Sequence, residues 1–168
     1  HASGPAFLER WRGQLALSDS QFRAMAEVWR QAARDAEPFS ETLDALARTR
    51  AMARLGLLSN TQSFDMEFLE RLGIAGLIAV PCLSWQTGHL KPESGAFAAI
   101  QKRLGLLPGE IAMVGDSWHD DMEGALAAGW RALWVNRAGS PCPRAEAAVL
   151  EIPDLSAVPE AVARLQTA

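Results

Sequence analysis

The chain has 168 residues, enough for one domain with a proper core, and its 49% hydrophobic and 21% charged residues describe an ordinary globular protein. A formal net charge of −4 without any basic stripe argues against a nucleic-acid partner, and no apolar run reaches the length a membrane span needs. Cys82 and Cys142 lack CxxC spacing and read as small, buried or partly buried thiols of a reducing compartment; with no signal-peptide pattern at the start, a cytoplasmic location is expected.

The chain opens as helix. Phe7 to Leu17 and Gln21 to Ala36 carry helical patterns, the second started by Ser18-Asp19-Ser20 and presenting Phe22, Met25, Val28 and Trp29. Pro38 breaks the pattern, and Ser40 to Arg54 makes a third helix. Leu55 to Leu58 is the first strand, ending at Ser59-Asn60-Thr61. Phe64, Phe68, Leu69 and Leu72 then share a helix face with Gly73 as its stop. Leu77 to Leu83 is the next strand. Lys91-Pro92 opens a helix with Phe97, Ile100 and Leu104 on one face and Gly105 closing it. Ile111 to Gly115 is strand, Asp120 to Ala128 helix with Gly129 as its stop, and Ala132 to Val135 strand again. Ala147 to Ile152 is a last short strand, and Ser156 caps a terminal helix through Leu165. Strands separated by single helices imply parallel pairing, so the fold class is α/β, a doubly wound parallel sheet of Rossmann type. Residues 1–37 read as a helical cap segment and 38–168 as the α/β core.

Polar residues collect at the strand ends, where ligands bind in open α/β sheets. Gly115 lets the backbone turn, Asp116 lies just past its strand, and Asp120-Asp121 opens the next helix. Converging carboxylates there suit Mg²⁺, which takes one or two protein oxygens and completes its shell with water and phosphate. Taken alone, the segment is equally an acidic helix N-terminus favoured by the macrodipole. Ser59 and Asn60 offer a hydroxyl and backbone N–H groups to an anion, although such a triplet alone is commonly just a cap. Lys91 can stabilise charge on a transferring phosphoryl group, although a lone Lys-Pro is commonly a solvated loop. The order of the three is what carries weight, since phosphoryl transfer is mostly positioning and charge neutralisation.

With these residues in place the chain resembles the haloacid dehalogenase-like (HAD) hydrolase superfamily, in its subgroup with a helical cap. Leu57-Leu58-Ser59-Asn60-Thr61 matches the second motif and Lys91-Pro92 the third. Gly115-Asp116-Ser117-Trp118-His119-Asp120-Asp121, extended by Gly124-Ala125 and Ala128-Gly129-Trp130, matches the fourth. The resemblance implies an HAD-like core and a phosphatase acting on a small phosphorylated metabolite through an aspartyl-phosphate intermediate, as a monomer or homodimer. It implies that Ser59 and Lys91 serve catalysis and, with Asn60, bind phosphate. Asp116 and Asp121 would bind Mg²⁺, with Asp120 and Ser117 supporting them from behind. Trp118 and His119 fall at variable positions. The acidic pair favours a phosphatase over a 2-haloacid dehalogenase, which expels halide without a metal.

One motif of the family is missing. Its nucleophile is the first Asp of a DxDGT motif ending a central strand, whereas the eight Asp residues here are 19, 35, 44, 65, 116, 120, 121 and 154, with no two separated by two. The chain therefore reads as lacking that strand through loss of an N-terminal segment; the alternative is a non-catalytic module that keeps the phosphate and Mg²⁺ pocket. Either way, the position between the strands ending at Ser59 and Gly115 is expected to be vacant or unusually filled.

Overall fold

The computed structural model describes residues 12, 16–61, 66–144, 146 and 148–167. Most of the expected first helix, Phe7 to Leu17, lies outside these residues, as do Phe64 and the side chain of Trp29. Helix α1 (Asp19–Asp35) begins where Ser18 caps it: Gln21 N–H donates to Ser18 Oγ at 3.4 Å, and Ser18 N–H returns a bond to Gln21 Oε1 at 3.0 Å. Ala26 is buried on this helix, while Val28 is left 67% exposed.

Helix α2 (Thr42–Arg50) is shorter than Ser40 to Arg54 because the N–H groups of Met52 and Ala53 both fold back onto the Thr49 carbonyl. Then come β1 (Gly56–Ser59), α3 (Glu67–Arg71), β2 (Val80–Leu83) and a single turn, α4 (Ser84–Thr87). The apolar run from Leu77 yields strand only from Val80, since the N–H groups of Leu77 and Ile78 are taken up by a turn at Ile74. Helix α5 (Ser94–Leu104) starts later than Lys91-Pro92 suggests, because Asn60 holds both backbone groups of Lys91. Strand β3 (Ala112–Gly115) leads into a π-helical turn (Trp118–Glu123) and the short α6 (Gly124–Ala127) where one helix was expected. Strands β4 (Arg131–Val135) and β5 (Val149–Ile152) follow, then α7 (Val158–Thr167). Its entry turn is capped by Asp154 rather than Ser156, with Ser156 N–H donating to Asp154 Oδ1 at 2.8 Å.

All strand pairs are parallel, but they form two sheets, β1-β2 and β3-β4-β5. Among the described residues no strand pairs β1 with β3 or occupies the remaining edge of either. Pro81, which cannot donate a ladder hydrogen bond, sits on the edge strand β2. One core nevertheless lies under both sheets. Ala96, Phe97, Ile100 and Leu104 of α5 pack with Val80 and Cys82 of β2, Met113 of β3, and Ala132 and Trp134 of β4. The alternate residues Leu133 and Val135 face the opposite way, onto Ile152, Val158 and Ala161. Helices thus cover both faces of β4, as a doubly wound parallel sheet requires. Gly124 allows this closure: a Cβ there would come within 2.3 Å of the Phe97 ring, which also meets Trp130 edge to face at 5.3 Å. Cys82 is buried, and burial raises its thiol pKa above the ordinary range; Cys142, expected to be at least partly buried, is exposed.

Beyond the sheet, Arg137 binds Glu41 and stacks over Phe39 at 3.8 Å, tying the loop after β4 to the start of α2. The Arg137 hydrogen bond holds the Glu41 carboxyl below the usual glutamate range, and Ser156 does the same for Asp154. A carboxylate whose pKa is lower folded than unfolded stabilises fully above its unfolded pKa and loses that contribution as pH falls through the folded value. Thermal stability should therefore decline from about pH 5 downward, near the ordinary carboxylate range. The decline should be shallower in Glu41→Gln, compared by melting curves across the same pH series.

Candidate active site

The site lies past the carboxyl ends of β1 and β3. β1 delivers Ser59 to its last position, half-buried, with no hydrogen-bond partner for its hydroxyl among the described residues. Asn60, next in the chain, uses its side-chain amide as a two-point clamp: Nδ2 donates to the Lys91 carbonyl at 3.0 Å, and Lys91 N–H donates to Oδ1 at 2.7 Å. That pair fixes the Lys91 backbone across a long stretch of sequence. It satisfies groups that the turn before α5 leaves unpaired.

Lys91 then reaches β3's loop. Its Nζ donates to Asp121 Oδ1 at 2.5 Å, with side-chain exposures of 13% and 4%. The other oxygen, Oδ2, accepts from Ser117 N–H at 3.1 Å. Ser117 also caps the π-helical turn, its Oγ accepting from Asp120 N–H at 3.0 Å. Asp120 thus braces the loop through its backbone, and the support beneath Asp121 comes from Ser117. Gly115 is what lets the Asp121 carboxylate lie flat against the strand end, since a Cβ there would sit 2.2 Å from Oδ2. Asp116 is exposed, and its carboxylate has no partner among the described residues. His119 stays on the surface, paired with Glu123 at 2.9 Å.

The geometry therefore joins Asn60, Lys91, Asp121 and Ser117 by direct hydrogen bonds, with Ser59 and Asp116 attached through the chain. Two residues with site contacts escaped the sequence reading. Gly115 was legible only as a turn residue. Trp134 was legible only as an apolar residue of a strand, yet its Nε1 donates to the Asp116 carbonyl at 3.1 Å.

The donor set suits a hard cation but does not enclose one. Among the described residues no three His, Cys, Asp or Glu side chains form a cluster that could hold a metal. Two carboxylates are what Mg²⁺ commonly takes from protein when phosphate and water complete its shell, so Asp116 and Asp121 fit it. Lys91 is the counter-charge that Asp121 already has.

Comparison with known proteins agrees with the motifs. A family model described as HAD-hydrolase-like matches residues 90–160. The chain is 35% identical over 104 residues to a phosphoserine phosphatase of Thermus thermophilus, covering 62% of this chain and 42% of that protein. It spans about half the length of the curated relatives it matches. Among solved structures, a HAD phosphatase from Thermococcus onnurineus superposes with a TM-score of 0.68 at 22% identity, over 94% of this chain and 87% of that one. A 2-haloacid dehalogenase from Pseudomonas syringae gives a TM-score of 0.67 at 30% identity, over 75% and 53%. With the motifs in family order at the ends of parallel strands, the chain belongs to the haloacid dehalogenase-like hydrolase superfamily.

Proposed function

We propose that this chain carries the phosphate- and Mg²⁺-binding half of the active site of a phosphatase for small phosphorylated metabolites. The observation that carries the reading is the bonded relay from Asn60 through Lys91 to Asp121 and Ser117. It gathers three separate sequence motifs into one site. Ser59 and the Asn60 backbone bind the phosphoryl oxygens, and the Lys91 ammonium neutralises the charge that grows on them during transfer. Asp116 and Asp121 hold Mg²⁺, which when bound supplies further neutralisation of phosphate charge. The attacking carboxylate would come from a strand seated between β1 and β3, whose facing edges are unjoined among the described residues. The acidic pair and the phosphatase relatives favour this reaction over halide expulsion, which has no need of a metal.

The test is release of inorganic phosphate from a panel of phosphomonoesters by the natural full-length gene product and by the 168-residue chain, each with Mg²⁺ and with EDTA. Mg²⁺-dependent turnover by the full-length product and binding without turnover by the shorter chain are expected. Phosphate binding without turnover in both would instead establish a non-catalytic module, and turnover of 2-haloacids alone would establish a dehalogenase.

A further inference from the structure

We infer that Trp134 is a positioning residue for the metal-binding loop, acting through its indole N–H on Asp116. β3 and β4 are in register with Gly115 opposite Trp134, so the indole lies beside the point where the chain leaves the sheet. Its Nε1 donates to the Asp116 carbonyl at 3.1 Å, and its ring meets that of Trp118 edge to face at 5.2 Å and 86°. One buried side chain, 5% exposed, therefore holds the loop at Asp116 and at Trp118, on either side of Ser117.

The two carboxylates of the site are held unequally. Asp121 has Lys91 and the Ser117 N–H on its oxygens. The Asp116 carboxylate has no protein partner among the described residues, so its direction depends on the backbone that carries it. The indole hydrogen bond is the contact that fixes that backbone at its carbonyl. A ligand with a poorly fixed backbone loses conformational freedom on binding a cation, and this lowers affinity.

The structure also provides an internal control. Trp130 is likewise buried, at 4%, and its Nε1 donates to Gln101 Oε1 at 3.1 Å, away from the metal loop. Trp134→Phe and Trp130→Phe each remove one indole N–H and a similar volume from the same core. A purely structural role predicts the same outcome for both.

The inference rests on the assignment of Asp116 and Asp121 to Mg²⁺, and the experiment separates the two. The 168-residue chain, its two Trp→Phe variants and Asp116→Ala are titrated with MgCl₂, following amide and indole Nε1–H resonances by NMR. This readout captures weak binding and needs no turnover. Both Trp variants should melt at similarly reduced temperatures. Trp134→Phe alone should weaken Mg²⁺ binding, by about five- to tenfold, the factor that one lost hydrogen bond supplies. In the wild type the Trp134 indole signal should shift on titration while that of Trp130 stays in place. Equal affinity in wild type and Trp134→Phe, or equal weakening in both Trp variants, overturns the inference and leaves the metal site standing. Failure of the wild type to take up Mg²⁺, or undiminished uptake by Asp116→Ala, overturns the metal assignment and this inference with it.

Discussion

Lys91→Ala is expected to cost about 3–5 kcal/mol of stability in the absence of a divalent cation, because it strands Asp121 as a buried carboxylate without its counter-charge. Asp121 is only 3% exposed, and among the described residues the Ser117 N–H would remain as the one hydrogen-bond donor to its carboxylate. A buried ion pair contributes little net stability, yet breaking one side of it is costly, since the desolvation of the other charge is no longer offset. Removing both charges should therefore be milder: Lys91→Met/Asp121→Asn is expected to be closer to wild type than Lys91→Ala in urea denaturation. Under the proposed phosphatase function, the same Lys91→Ala in the natural gene product should lower turnover by roughly 10²–10³, the usual cost of removing a charge-stabilising donor. A loss of under about 1 kcal/mol in the single variant, typical of a solvated surface pair, would contradict the burial argument.

Gly115→Ala should be nearly as damaging for a different reason. A Cβ at Gly115 would fall 2.2 Å from Asp121 Oδ2 and 2.4 Å from its Cγ, so the carboxylate has to leave the strand end. That movement breaks the Ser117 and Lys91 bonds together. Overpacking of this kind costs about 1–3 kcal/mol, and displacement of a proposed Mg²⁺ ligand is added to it. Urea denaturation and Mg²⁺ titration of Gly115→Ala should both show the defect, and Lys91 should lose its fixed position. Wild-type Mg²⁺ affinity in this variant would mean that Asp121 is not a ligand.

The sequence made the parallel topology legible because each strand is a short apolar run separated from the next by a helix or turn signal. Ser59, Lys91 and Asp121 read as a set through their order along the chain; the structure bonds Lys91 directly to Asp121, and Ser59 meets them only through its neighbour Asn60. Element lengths were less legible. The run from Leu77 and the start of α5 were shortened by backbone groups engaged elsewhere, at Ile74 and Asn60, and such capture has no local signature. The clamp by Asn60 on Lys91 is likewise invisible in sequence, because an amide after a strand reads equally as a cap. Trp134 illustrates the limit most clearly. Its apolar body belongs to the strand pattern, and its N–H finds a carbonyl of the neighbouring loop only through the β3–β4 register. The split into two sheets agrees with the missing DxDGT motif, since the family's central strand is the element that would bridge β1 and β3.

The measurement that tests the account most directly is a Mg²⁺-dependent thermal shift of the 168-residue chain compared with Asp116→Ala and Asp121→Ala, run with and without inorganic phosphate. A cation that binds only the folded state raises the melting temperature in proportion to its affinity. The wild type is expected to show a rise that phosphate enlarges, and both variants a diminished or absent rise. An equal response of all three proteins would contradict it.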